Sequence, residues 1–138
     1  MGMESTITWK SGRTFDSFQD GHHLALDLPV TSGGTDSGPK PKTLLLTALG
    51  GCTAMDVVSI LDKMRVGLSG LKIHAGAELT EDHPKIFKSI HLKYIFGGAD
   101  LPMDKLEKAV TLSMDKYCGV GAMLAKACPI TWEIVIDN

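Results

Sequence analysis

The sequence predicts an α+β fold, on three observations. Segments of alternating apolar and polar residues lie at both ends of the chain, one long apolar run lies between them, and no internal repeat is present. Taken in order, the chain reads as three strands, a long helix, two strands, two helices and a last strand.

Residues 4–10 alternate, with Ile7 and Trp9 on one face, which suits a strand. Ser11 and Gly12 turn the chain, Arg13 to Phe18 forms a second strand, and Asp20-Gly21 is a strong hairpin signal before His22 to Leu28. The amino-terminal third is therefore expected to be a small antiparallel meander. Residues 31–40, TSGGTDSGPK, have no apolar anchor and read as a flexible connection.

The stretch from Gly38 to Arg65, GPKPKTLLLTALGGCTAMDVVSILDKMR, reads as one long, largely buried helix starting near Pro41. Proline suits a first helical turn because its missing N–H would have had no intrahelical partner there. From Leu44 to Met64 the apolar residues surround more of the cylinder than one stripe, so cover must come from the rest of the chain or from a second copy. Asp56, Asp62, Lys63 and Arg65 interrupt the run before about 20 uncharged residues accumulate, so no membrane span is expected. Gly50 and Gly51, each costing about 1 kcal/mol relative to alanine in a helix interior, precede Cys52. Close approach of another backbone, or room for a ligand beside the thiol, would justify them. On these residues alone Cys52 is either a small inert hydrophobe or the seat of chemistry.

Gly67 and Gly70 end the helix. Leu71 to Thr80 and Ile86 to Phe96 alternate as two half-buried strands joined by a turn at Asp82 to Pro84. Met103, Leu106, Val110 and Met114 space a second helix, which Tyr117, Cys118 and Gly119 interrupt. A short third helix, Val120 to Ala127, is stopped by Pro129. Ile130 to Ile136 alternates as the final strand.

A length of 138 residues with 43% hydrophobic content suits one domain with one core, spanning 1–138. Fourteen basic against sixteen acidic residues, with no basic cluster, argues against a nucleic-acid partner. No charged amino end precedes an apolar segment, so a cytoplasmic location is expected. The three cysteines, Cys52, Cys118 and Cys128, cannot all pair and lack close CxxC spacing, and the five histidines are dispersed, so no metal site is expected. In a reducing compartment, catalytic or redox thiols are more plausible than structural bridges.

The stretch GPKPKTLLLTALGGCTAMDVVSILDKMR together with KYCGVGAMLAKACPITWEI resembles the OsmC/Ohr family of osmotically inducible and organic hydroperoxide resistance proteins, in its OsmC-like branch. The resemblance implies an OsmC-like fold, with antiparallel sheets wrapped around a long central helix in an interlocked homodimer. It implies a cysteine-dependent peroxidase acting on organic hydroperoxides, with Cys52 as peroxidatic thiol and Cys118 as resolving thiol. It implies no bound cofactor, and an external dithiol reductant such as a lipoylated or thioredoxin-like protein. Arg13 matches the position of the family's thiolate-stabilising arginine, and Lys116 is a second candidate.

One departure stands out. Where better characterised branches carry a glutamate to pair with that arginine, this chain has Lys42 and Thr43, so the clamp is absent or rebuilt, with Glu4, Asp16 or Asp20 as candidates. A fold-sharing stress or small-molecule-binding protein with weak or no peroxidase activity is the alternative. Cys118, at the start of the short helix, is expected to have a lowered pKa. Asp56, one turn beyond Cys52, would raise the thiol pKa if it faced the same pocket. Cys128 and the methionines Met55, Met64, Met103, Met114 and Met123 read as packing residues, with an apolar pocket as a further use of some methionines.

Overall fold

The computed structural model describes residues 2–137, and its elements follow the expected order. Two compact units succeed one another along the chain, Met1–Leu45 and Leu46–Asn138.

The first unit is an antiparallel meander of β1 (Thr6–Ser11), β2 (Thr14–Gln19) and β3 (His22–Leu26). Asp20 and Gly21 both take positive φ between the paired ends Gln19 and His22, the backbone that a two-residue hairpin with right-handed strand twist requires. β3 stops at Leu26 because Asp27 leaves the ladder for another task. It is 2% exposed, and its carboxylate accepts hydrogen bonds from Thr14 Oγ1 (2.9 Å), Thr35 Oγ1 (2.7 Å) and the N–H groups of Leu28 (2.7 Å) and Ser37 (3.1 Å). These bonds, led by that of Thr35, hold the Asp27 carboxyl well below the usual carboxylate range against the opposing effect of burial. The segment after it, which includes a 3-10 turn at Val30–Ser32, is thus pinned rather than a flexible connection. Its anchor is a buried charge, and a search for apolar anchors does not find it.

Helix α1 (Pro41–Lys63) begins in the last residues of the first unit and continues into the second. Its buried side chains Leu49, Thr53, Val57 and Leu61 recur every fourth position and form one stripe, with Gly50 buried beside it. Leu45, Met55 and Val58 remain exposed, so the chain by itself leaves part of the apolar surface of α1 uncovered, in place of the largely buried helix expected. The best 18-residue window of α1 has a mean hydropathy of 1.9, so by length and composition this helix can cross a membrane. That corrects the expectation drawn from its charges, since three of the four cluster at its end and Asp56 stands alone before them. The core helix of a globular protein meets the same criterion.

β4 (Gly70–Leu79) and β5 (Phe87–Gly97) form the expected hairpin, and β6 (Ile130–Ile136) pairs parallel to β5. This second sheet, ordered β4-β5-β6, is therefore mixed. A parallel pair needs a long crossover. Here it is supplied by α2 (Met103–Leu112), a π-helical turn (Ser113–Tyr117) and α3 (Gly119–Ala125). The core joins Leu49, Val57 and Leu61 of α1 to Ile90, Leu92, Tyr94 and Phe96 of β5 and to Leu106, Ala109 and Val110 of α2. Met64 and Met114 pack against it, whereas Met55, Met103 and Met123 are exposed, which corrects their reading as core residues.

Candidate active site: a thiol pair beside a carboxylate

Cys52 and Asp56 lie four residues apart on α1 and so share a helix face, while Thr53 belongs to the buried stripe. The Thr53 hydroxyl is 2.7 Å from Tyr94 Oη and 2.7 Å from Ser113 Oγ, and Ser113 Oγ donates to Asp56 Oδ2 at 3.0 Å. Each hydroxyl has one proton to give. Because Ser113 gives its proton to Asp56, Thr53 donates to Ser113 and accepts from Tyr94. The result is a one-way chain, Tyr94 to Thr53 to Ser113 to Asp56, that ends on the carboxylate and fixes its orientation. Burial pushes the Tyr94 phenol up to about 12, so it keeps the proton that starts the chain.

The π-helical turn sets the other half of the site. Its closing bond runs from the Cys118 N–H to the Ser113 carbonyl at 2.7 Å, across five residues rather than four. The turn thereby aims Ser113 at Asp56 and delivers Cys118 as the first residue before α3. The Cys118 sulfur accepts the Gly121 N–H at 3.2 Å, and a Cβ at position 121 would come within 3.2 Å of that sulfur. Cys118 is 2% exposed, and Cys52 is half-buried. One carboxylate oxygen of Asp56 and the Sγ atoms of Cys52 and Cys118 all lie within 4.8 Å of one another.

Burial, with Cys52 and Asp56 alongside, pushes the Cys118 thiol up to about 11, and the Gly121 N–H offsets this only in part. This corrects the lowered pKa expected from a helix start: α3 has seven residues, and one N–H does not outweigh burial and a neighbouring carboxylate. Asp56 does face the thiols. A groove of about 370 Å³ opens beside Asp56, walled by Ile60, Met64, Leu112 and Tyr117 with Lys63 at its edge.

Of the residues singled out from sequence, the fold brings Cys52, Cys118 and Asp56 together. Arg13 belongs to the other unit, in the turn between β1 and β2, where it lines a small groove with Phe15, Leu26 and Asp27. The acid sharing that groove is thus Asp27, and none of Glu4, Asp16 or Asp20 lines it. Asp16 is bonded instead to His23 Nδ1 at 2.8 Å. Lys116 stands over the Tyr117 ring, 5.2 Å from its centroid. Cys128 is buried in the core. Gly50 packs on the Ile73 side chain, with 3.6 Å between an added Cβ and its Cγ2, and an added Cβ at Gly51 meets nothing within 4 Å among the described residues. The sequence reading missed Thr53, Tyr94 and Ser113. A threonine next to Cys52 was a weak signal, and Ser113 gave none because its aim depends on the π-helical turn.

The chain is similar to several known proteins. The OsmC-like protein family profile matches residues 34–133. Protein YhfA of Escherichia coli (strain K12) is 38% identical over 136 residues, covering 96% of this chain and 98% of that protein. A hypothetical protein from Aquifex aeolicus VF5 has a structure with TM-score 0.84 at 32% identity, covering 100% of this chain and 99% of that one. The organic hydroperoxide resistance protein OhrB of Bacillus subtilis gives TM-score 0.66 at 16% identity, covering 97% and 98%, a likeness of fold alone. The chain belongs to the OsmC-like protein family.

Proposed function

We propose that this protein is a cysteine-dependent peroxidase that reduces organic hydroperoxides. The observation that carries the reading is the approach of the Cys52 and Cys118 sulfurs to within 4.8 Å. The Cys52 thiolate attacks the terminal peroxide oxygen, the O–O bond breaks, and the alkoxide leaves as an alcohol after taking up a proton, which leaves a sulfenic acid on Cys52. Cys118 attacks that sulfur, water departs, and a Cys52–Cys118 disulfide forms at about 2.0 Å between sulfurs. That bond requires the two side chains to close from their resting separation. An external dithiol, on a lipoylated or thioredoxin-like protein, closes the cycle by thiol–disulfide exchange, supplying two electrons and two protons to the Cys52–Cys118 disulfide and becoming a disulfide itself. The apolar wall of Ile60, Met64 and Leu112 suits an alkyl chain better than hydrogen peroxide.

Cys52 sits in a helix interior and needs a cation to hold its thiolate. Arg13 takes that role in a homodimer built on the exposed apolar side of α1. Three free cysteines suit a reducing cytoplasm. The test is mass spectrometry after a stoichiometric dose of alkyl hydroperoxide. Linked Cys52 and Cys118 in the wild type, with loss of turnover in Cys52→Ser, is the expected result, and unchanged turnover in that variant removes the reading.

A second reading, a small-molecule-binding stress protein of the same fold with weak peroxidase activity, is favoured by Asp56. A carboxylate lies within 4.8 Å of both thiols and opposes thiolate formation at Cys118. Under this reading Cys52 alkylates no faster than a free cysteine, and the groove retains an apolar ligand. Rapid oxidation of Cys52 to the disulfide rules it out.

A further inference from the structure

We infer that the reduced site binds a thiophilic divalent cation, of the class of Zn²⁺ or Cd²⁺, through Cys52 Sγ, Cys118 Sγ and the Asp56 carboxylate. Three ligand atoms of the right chemistry already lie within 4.8 Å of one another on one compact unit, drawn from the middle of α1 and the residue before α3. Tetrahedral zinc takes sulfur at about 2.3 Å and carboxylate oxygen at about 2.0–2.2 Å, so ligands gathered this closely need small side-chain adjustments and no change of fold.

The shell around the ligands is built as well. Metal-ligating carboxylates are themselves held by hydrogen bonds. Asp56 receives the Ser113 proton at the end of the Tyr94, Thr53 and Ser113 chain, and Cys118 receives the Gly121 N–H. The charge balance points the same way. Two thiols and a carboxylate converge within 4.8 Å, so as ligands they bring three like charges together. A divalent cation removes that conflict: each thiol gives its proton to solvent and becomes a ligand. Two sulfurs favour zinc and cadmium over magnesium or calcium, which prefer all-oxygen sites. Three protein ligands leave a fourth position for water.

One consequence rests on the peroxidase reading above. Metal and peroxide draw on the same sulfur lone pairs, so an occupied site is closed to peroxide. Binding itself does not depend on that reading, and its test uses no turnover.

The experiment is titration of the reduced, chelator-stripped full chain with Zn²⁺ against a chromophoric chelator, and with Co²⁺ to read thiolate-to-metal charge transfer. The expected result is one metal per chain with a tetrahedral thiolate spectrum. It is lost in Cys52→Ser and in protein oxidised with diamide, weakened at least tenfold in Asp56→Asn, and unchanged in Cys128→Ser. Circular dichroism of each variant identifies any that fails to fold, and Asp56→Asn, which keeps the side chain's shape, decides the question if a cysteine variant does. Stoichiometric binding that survives Cys52→Ser, or equal affinity in Asp56→Asn, overturns the proposed ligand set. The absence of any charge-transfer band overturns the site. A dead peroxidase that still binds one metal leaves this inference standing while the functional reading falls, and an active peroxidase that binds none does the reverse.

Discussion

The Ser113 hydroxyl donates to the Asp56 carboxylate at 3.0 Å, tying the π-helical turn to the middle of α1. Because Ser113 gives away its single proton there, the donor direction is fixed back through Thr53 to the buried Tyr94 phenol. The two chain segments that carry the site's thiols are thus held together by hydroxyl groups in the core.

That dependence predicts the effect of Thr53→Val. The swap keeps the shape but leaves the Tyr94 hydroxyl without its acceptor and Ser113 without its donor in a fully buried setting. Unsatisfied buried polar groups cost about 1–3 kcal/mol each, so the variant is expected to lose stability of that order in urea unfolding. Adding Tyr94→Phe removes one orphan, so the double variant should lose less than the sum of the single losses. Additive losses would show that the chain is not coupled.

The Cys118 thiol has a folded-state pKa raised from 9.0 to about 11. The unfolded chain therefore releases this proton first as pH rises, and the stability that the buried neutral thiol contributes is complete below pH 9 and lost between about 9 and 11. Urea midpoints of metal-free protein should fall across that window, and Cys118→Ala should reduce the slope. Asp56→Asn removes one cause of the shift, so Cys118 alkylation at pH 8 should become several-fold faster in that variant.

Asp27 runs the other way. Its folded-state pKa lies below the usual 3.8, led by the Thr35 hydrogen bond, so its contribution is present above that value and lost as pH falls through the folded-state pKa. Asp27→Asn keeps the size but forfeits a charge that accepts hydrogen bonds from Thr14 and from the loop residues Leu28, Thr35 and Ser37. A Tm several degrees lower at pH 7 and faster proteolysis within residues 28–38 are expected. A protease pattern identical to the wild type would show that the carboxylate does not hold this segment.

Met55 on α1 is 76% exposed, and Val58, one turn on, is 49% exposed. If this side of the helix meets a second copy, as the proposed function requires, Met55→Glu places a charge in the apolar contact. Sedimentation should then report a shift from dimer to monomer, at least tenfold in dissociation constant. Wild-type protein that sediments as a monomer at micromolar concentration removes the dimer from the proposal.

Periodicity located α1, β4, β5 and β6 to within a few residues, because each buries one face, and a buried face leaves its period in the sequence. The Asp20-Gly21 hairpin and the helix start at Pro41 were legible for a local reason, since both depend on φ values that those residues favour. Cys52 and Cys118 stood out through resemblance, and Asp56 through its spacing from Cys52. Lys42 and Thr43 pointed to a missing carboxylate partner for Arg13, but nothing in the local sequence marked Asp27 as the acid beside it. The difference is one of range.

The sequence by itself determined the order of strands and helices, the excess apolar surface of α1 and the family to which the chain belongs. Tertiary structure alone decided that Asp56 faces both sulfurs, that Ser113 reaches it, that burial raises rather than lowers the Cys118 pKa, and that β6 lies parallel to β5. Propensity and spacing act over a few residues, whereas desolvation and hydrogen-bond partners are set by groups that the chain brings together from distant positions.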